Sequence, residues 1–299
     1  MHMSEMNLPK VSIITPSFNQ AQFLDETIQS VISQDYPDIE YIIVDGGSTD
    51  GSVEIIKNYE SRISYWVSEN DQGQADAINK GFAIATGEFI GWLNSDDCLS
   101  PGAIRKVVDA FMLNPDVEFI YGDIGQGESL LASQKLRGRE TSIEQILISG
   151  SVPIPQQGSM WRRSVLGKIG SLGTEWHVVL DREFFMRTVL KCKIQYLPAT
   201  LGFFRYHADS KSISQMSRWI AELPKMYQMF LARDDLPEHI ADLKRTAMAR
   251  ILLTCASLSF RVGSYFRGGV FLIRSFVSSP FLFVRPGVIR AIVKRVAGN

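Results

Sequence analysis

Cysteine is scarce in this chain: Cys98, Cys192 and Cys255 are the three among 299 residues, scattered and never at metal-ligand spacing. Neither a disulfide framework nor a thiolate zinc cluster is suggested, and a reducing, cytoplasmic setting is expected. No apolar run reaches the roughly 18 to 20 residues that a membrane span needs. The nearest approach, at residues 270–284, is broken by Arg274 and Pro280. The opening MHMSEMNLPK has no apolar stretch of the secretory kind, so no signal peptide is expected. A GxGxxG fingerprint and a P-loop are missing, and GSLG and GRG lack the strand-to-helix setting in which a glycine turn cradles phosphate. Acidic residues stop at Asp242, whereas ten of the 31 Lys and Arg lie from Lys244 to Arg295. The first 243 residues thus set all 32 acidic side chains against 21 basic ones, a strong asymmetry hidden by a net charge of −1. A tail of this kind is expected to meet an anionic partner, lipid or nucleic acid. Since the rest of the chain is acidic, nucleic acid is the weaker expectation.

With 45% hydrophobic residues, the chain can bury one large core or two modest ones. Its first 125 residues alternate β-branched runs with amphipathic helical patterns. VSIIT at 11–15 reads as a strand and leads to a helix with Phe23, Leu24, Ile28, Val31 and Ile32 on one face, ended by Pro37. IEYIIVD at 39–45 reads as a strand buried on both faces, after which Ser48 or Thr49 can cap a helix carrying Val53, Ile56 and Tyr59. SYWVSE precedes a helix at 74–85, and EFIGWLN precedes Ser100-Pro101, an N-cap with proline at the first helical position. VEFIYGD at 117–123 reads as a fifth strand. Repeated strand-helix units predict an α/β fold with a mostly parallel sheet, helices on both faces, and ligands beyond the carboxyl ends of the strands. The unusual residues cluster there, at 15–19, 45–50, 70–74 and 94–97. Short strands and helices follow up to Tyr206, and from Ser212 the chain reads as helix with a break around 278–286.

LNSDDCLSP sets two adjacent carboxylates, Asp96 and Asp97, at the exit of a buried strand, where like charges are costly unless a cation binds nearby. Oxygen ligands and a phosphate partner suit Mg²⁺ or Mn²⁺. Taken alone, the pair could equally cap the helix starting near Pro101. VDGGSTDGS, taken alone, is more often a turn with an N-cap than a binding loop.

Together, TPSFN at 15–19, VDGGSTDGS at 44–52, NDQGQADAINKG at 70–81 and WLNSDD at 92–97 resemble, in order and spacing, the nucleotide-sugar half of family 2 glycosyltransferases of the GT-A fold. IPQQGSMWRRSVLGKIG at 154–170, LDREFFMR at 180–187 and FRYHADSKS at 204–212 resemble the acceptor side of bacterial members. The resemblance implies a GT-A catalytic domain at 8–212, with a nucleotide-sugar half at 8–125 and an acceptor half at 126–212, followed by a basic helical region at 213–299. Thr15, Pro16, Ser17 and Asn19 would line the nucleotide pocket with Gln74, Asn94 and Ser95, and Asp45 and Asp71 would hydrogen-bond the base or ribose. Asp96, with Asp97 and His207, would hold Mg²⁺ or Mn²⁺ against the diphosphate, and Asp181 would be the catalytic base, with Glu183 as runner-up. The implied activity is inverting transfer of a sugar from a nucleoside-diphosphate sugar to a glycan or lipid-linked acceptor. The chain departs from the pattern at Gly46 and Asn94, where many relatives carry aspartate, and at Gln156 and Gln157, near which relatives often carry histidine.

Two rivals remain from the residues themselves. A nucleotidyltransferase would show a basic, glycine-rich loop early in the chain, and TPSFNQ is neither. A catalytically silent nucleotide-sugar binder or membrane scaffold would have no use for a base. In the tail, Leu252, Leu253, Leu258, Phe260, Tyr265, Phe266, Phe271, Leu272, Phe276, Phe281 and Phe283 interleave with arginines. That pattern suits a segment lying in an anionic membrane interface, so peripheral attachment to the inner face of the cell membrane is expected, the alternative being a helical cap packed on the catalytic domain with its arginines solvated. His177, Trp161, Trp176 and the Met226–Phe230 stretch are read as rim or packing residues.

Overall fold

In the computed structural model of the chain, the described residues are 8–130 and 133–284, the side chains of 212, 213 and 284 aside. They fold as two compact units. One takes the chain up to Glu140 together with Pro153–His177 and Arg187–His207; the other takes Thr141–Val152, Val178–Met186 and the chain from Ala208 onward. The division therefore does not follow a single cut: two short internal segments join the C-terminal helices.

The first unit carries the sheet. Its strands are β1 (Val11–Ser17), β2 (Ile39–Asp45), β3 (Tyr65–Ser68), β4 (Phe89–Trp92), β5 (Cys98–Leu99), β6 (Phe119–Gly127), β7 (Gln134–Leu136), β8 (Ser159–Arg162) and β9 (Ile194–Arg205). Among the described residues they run in the order β3-β2-β1-β4-β8-β6-β9-β5, with β7 paired to β6. The pairings β3–β2–β1–β4 are parallel, as a βαβ alternation demands. Antiparallel β8 then separates β4 from β6, so the fifth run read from the sequence does not extend the parallel array directly. Since β2 and β4 flank β1 on opposite sides, the strand order reverses beside β1, and the crevice at its carboxyl end is where such sheets bind ligands.

Helices α1 (Ala21–Ile32), α2 (Ser52–Asn58), α3 (Gln74–Ile84) and α4 (Ala103–Leu113) join these strands. Leu24, Ile28 and Val31 of α1 and Ile104, Val107, Val108 and Phe111 of α4 are buried in one core with Val11, Ile13, Tyr41, Ile43 and Phe89. A second aromatic cluster lies beside β4: Trp161 is fully buried, with ring centroids 5.3 Å from Trp92, 5.8 Å from Phe82 and 5.8 Å from Phe119. Two helix starts differ from the sequence reading. Ser48 is drawn into the loop before α2, which begins only at Ser52, and a turn at Pro101 and Gly102, with Gly102 at φ 69°, delays α4 to Ala103.

Next come α5 (Ile143–Ser149), α6 (Ser164–Ile169), α7 (Leu180–Lys191), α8 (Lys211–Ser214), α9 (Met216–Leu231), α10 (Glu238–Ala241), α11 (Lys244–Arg261), α12 (Tyr265–Ser278) and α13 (Phe281–Val284). In the second unit, α11 packs against α5, α9 and α12. The expected break after Ser278 falls between α12 and α13, and its further limit at Pro286 lies outside the described residues. Along α7, residues 184–188 are buried and Val189 and Leu190 are half-buried.

Candidate active site

Four loops meet at the carboxyl ends of the parallel strands, and the hydrogen bonds among them explain why the sequence is unusual there. Thr15 Oγ1 lies 3.1 Å from the Tyr41 hydroxyl, tying β1 to β2. Ser17 is buried, and its hydroxyl has no hydrogen-bond partner among the described residues. Pro16 is buried in the strand beside it. Asn19 adopts φ 52°, in the left-handed region that asparagine tolerates better than most side chains. Its N–H donates to Ser48 Oγ at 2.8 Å, while its Oδ1 accepts from Thr49 N–H at 2.9 Å. The first two loops are thereby locked together. Phe18, the residue after β1, is 58% exposed, and sequence reasoning gave it no role.

Asp45 was expected to reach the base or ribose. In the fold it is fully buried and turned onto its own loop. Its oxygens accept from Gly47 N–H (3.1 Å), Ser48 N–H (2.8 Å), Ser48 Oγ (2.5 Å) and Ser68 Oγ (2.7 Å). It shapes the loop, and Asp71 is the carboxylate beside it. A Cβ at Gly46 would stand 2.7 Å from Asp71 Oδ2, so the glycine makes room for Asp71, whose Oδ1 accepts from Gly73 N–H at 2.7 Å. The absence of aspartate at 46 and the placement of Asp71 are one feature.

After β4 the polar groups form a continuous chain. Gln74 Nε2 donates to Asn94 Oδ1 at 2.7 Å, and Asn94 Nδ2 lies 3.2 Å from both Asp97 Oδ2 and Gln156 Oε1. Gln157 Nε2 donates to Asp97 Oδ2 at 2.7 Å, and Arg205 N–H to Asp97 Oδ1 at 3.0 Å. Asp97 is fully buried with both oxygens engaged, so it braces the turn from inside, a different place from the metal ligand read from the sequence. Burial pushes its carboxyl well above the usual range, and the neighbouring Asp96 adds to the shift. The alternative, a cap on the helix near Pro101, does not arise either, because β5 intervenes before α4, whose N-cap is Gly102.

Asp96 points the other way. Its Oδ2 lies 3.0 Å from His207 Nε2, and both side chains keep some exposure, 20% and 11%. Arg205 fixes the pair: Nε donates to the Asp96 carbonyl at 3.0 Å, the guanidinium pairs with Glu26 of α1, and it lies 4.9 Å from the Phe23 ring and 5.6 Å from the Phe203 ring. Phe23 also meets the His207 ring at 4.6 Å. Ser95 is buried, and the Thr27 hydroxyl of α1 lies 2.9 and 2.8 Å from the carbonyls of Ser95 and Asp97. Arg205, Glu26 and Thr27 were missed in the sequence, where these partners lie 68 to 179 residues away.

A divalent cation fits this pair on the donors' own chemistry. Adjacent ligands about 2.1 Å from an octahedral ion stand about 3 Å apart, which is the Asp96–His207 spacing. One carboxylate oxygen and one imidazole nitrogen suit Mn²⁺ better than Mg²⁺, which prefers oxygen alone. Among the described residues no group of three His, Cys, Asp or Glu surrounds one point, so oxygens from a bound phosphate would have to complete the shell.

Asp181 belongs to the second unit, on the first turn of α7. Burial raises its carboxyl above the ordinary value, opposed by the Arg182 N–H, which donates to Asp181 Oδ1 at 2.7 Å, and by the Arg182 charge.

Solved structures share this architecture. The 1–349 segment of S. aureus TarS in complex with UDP matches with a TM-score of 0.65 at 19% identity, over 96% of this chain and 88% of that one. A longer TarS chain is matched over 43% of its length. Mannosyltransferase PcManGT from Pyrobaculum calidifontis, in complex with GDP-Man and Mn²⁺, matches with a TM-score of 0.62 at 15% identity, over 97% and 82%. The fold is thus that of the GT-A-type glycosyltransferases. An uncharacterized glycosyltransferase of Mycobacterium tuberculosis is 34% identical over 187 residues, covering 62% of this chain and 71% of that one. With the family model for Glycosyl transferase family 2 matching residues 12–170, the chain belongs to that family.

Proposed function

We propose that this glycosyltransferase moves a sugar from a nucleoside-diphosphate donor, bound beyond β1–β4, to a hydroxyl of a glycan or lipid-linked acceptor, with inversion at the anomeric carbon. The observation that carries the reading is the turn after β4: Asp97 is locked inside, while Asp96 and His207 face outward at the spacing of two adjacent metal ligands. The UDP in the TarS complex and the GDP-Man and Mn²⁺ in the PcManGT complex support a nucleotide sugar and a divalent metal here.

Each residue then has a part. Phe18 offers a face for the base, Asp71 an acceptor for base or ribose, and the Ser17 hydroxyl a free donor. Asn19, Gln74 and Asn94 hold the loops in register around them. Asp96 and His207 would hold Mn²⁺ or Mg²⁺, which neutralises the diphosphate and makes it a good leaving group. Asp181 takes the proton of the acceptor hydroxyl; the acceptor oxygen bonds to the anomeric carbon from one side as the bond to the diphosphate breaks on the other. The basic tail holds the enzyme on the anionic inner face of the cell membrane, where lipid-linked acceptors reside.

Release of nucleoside diphosphate from a panel of UDP-, GDP- and dTDP-sugars, with Mn²⁺ and with or without candidate acceptors, tests this reading. Acceptor-stimulated release that falls on the order of 10²- to 10⁴-fold in Asp181→Asn, with donor affinity kept, is expected of a positioned base. Near-wild-type transfer by Asp181→Asn together with loss in Glu183→Gln would move the base to Glu183.

A further inference from the structure

Helix α12 is apolar on two opposite faces, and among the described residues one of them is buried and the other exposed. At 100° per residue, Gly268, Phe271 and Ser275 share one side, and all three are buried against α11. The Ser275 hydroxyl donates to the Ala249 carbonyl at 2.7 Å, and a Cβ at Gly268 would fall 2.4 Å from the Phe260 ring, so glycine is what lets the helices approach this closely. The opposite side carries Phe266, Val270, Ile273 and Val277, exposed by 89, 40, 65 and 73%. Exposed Tyr265 and Phe276 border that stripe, and exposed Phe281 follows just beyond it. A helix packed on a soluble protein normally turns its polar residues outward. Here the outward face has the aromatic and branched residues, and the exposed arginines Arg267 and Arg274 sit along one flank between the two faces.

We propose that this outward face of α12, framed by Arg267 and Arg274, is the surface that enters an anionic lipid bilayer, lying in its interface plane. The proposal rests on the reading that the tail meets a membrane, and it says which part does so. Leu252 of α11 is buried, and Leu253, Leu258 and Phe260 are half-buried; they form the support. Charge selects the occupant. From residue 243 onward the sequence has no acidic side chain, so a second copy docked face to face would set arginines against arginines. Lipid phosphates complement them, and acyl chains take the apolar stripe.

The test uses the full chain and co-sedimentation with two vesicle types, phosphatidylcholine alone and phosphatidylcholine with phosphatidylglycerol. The triple variant Phe266→Gln, Ile273→Gln, Val277→Gln should bind anionic vesicles about tenfold more weakly or worse, with melting temperature and nucleoside-diphosphate release unchanged. Arg267→Gln with Arg274→Gln, which leaves the stripe intact, should lose the preference for the anionic vesicles at low salt. Wild-type pelleting matched by both variants would overturn the assignment to α12 while leaving the tail as a membrane anchor. Failure of the wild type to pellet at all would remove both readings. A wild-type dimer in light scattering that becomes a monomer in the triple variant would give the face to a second copy instead.

Discussion

Replacing Arg205 by lysine isolates the geometry of the turn after β4 from its charge. Lysine keeps one positive charge but loses the planar fork. The Nε–H bond to the Asp96 carbonyl disappears, and so does the stacking of a flat guanidinium between Phe23 and Phe203. A hydrogen bond from a charged donor contributes about 1.5–3 kcal/mol, and each cation–π contact about 0.5–1 kcal/mol, since the ammonium retains part of it. The pairing with Glu26 adds little to the sum, because Glu26 is 47% exposed and such pairs contribute about 0–1 kcal/mol. Urea unfolding of Arg205→Lys should therefore show a loss of about 2.5–5 kcal/mol. The second expectation concerns function: with the Asp96 backbone unanchored, the Asp96–His207 pair opens, and Mn²⁺-dependent donor affinity falls by more than the stability loss accounts for under conditions where the variant remains folded. A variant within about 0.5 kcal/mol of wild type, or one destabilised but binding donor normally, would refute the view that Arg205 positions the site.

Gly46→Ala should displace Asp71 and weaken donor binding, and Gly46→Asp combined with Asp71→Gly should bind better than either single variant, because one carboxylate occupies one space; additive losses in the calorimetric double-mutant cycle would contradict this. The acid limb of the transfer rate against pH should lie above the usual aspartate value of 3.8, because Asp181 must be ionised to act and burial raises its pKa. The sign for stability is opposite: the folded state holds that proton more tightly than the unfolded chain, so Asp181 contributes stability at low pH that is lost as pH rises from 3.8 through the raised value, and Asp181→Asn should flatten that part of the unfolding curve.

Much of this was legible in the sequence because it was local. The runs at 11–15, 39–45 and 74–85 carry their own periodicity, and β1, β2 and α3 lie on them. The glycosyltransferase resemblance rests likewise on short motifs. What was hidden depends on partners distant in sequence. The role of Arg205 requires the antiparallel pairing of β5 with β9, which sets Cys98 against Phe203 and so brings residues 96–97 beside 205–207. The difference between Asp96 and Asp97, adjacent and chemically identical, is decided by which one faces Gln157 and the Arg205 N–H. Gly46 reads as a missing carboxylate until Asp71 is seen in the space it leaves. The tail's hydrophobic residues look alike in sequence; α11 buries its share because α5, α9 and α12 pack against it, whereas Phe266, Ile273 and Val277 of α12 stay exposed.

The central claim is that Asp96 and His207 hold a divalent cation through which the donor diphosphate is bound. Titration calorimetry of the preferred nucleoside-diphosphate sugar, with Mn²⁺ and then with EDTA, measures it directly in wild type, Asp96→Ala and His207→Ala. The account predicts tight binding by the wild type only with Mn²⁺, and at least a tenfold loss in each variant, equivalent to about 1.4 kcal/mol, with melting temperatures little changed. Donor affinity that is insensitive to EDTA and unaltered in Asp96→Ala would contradict it.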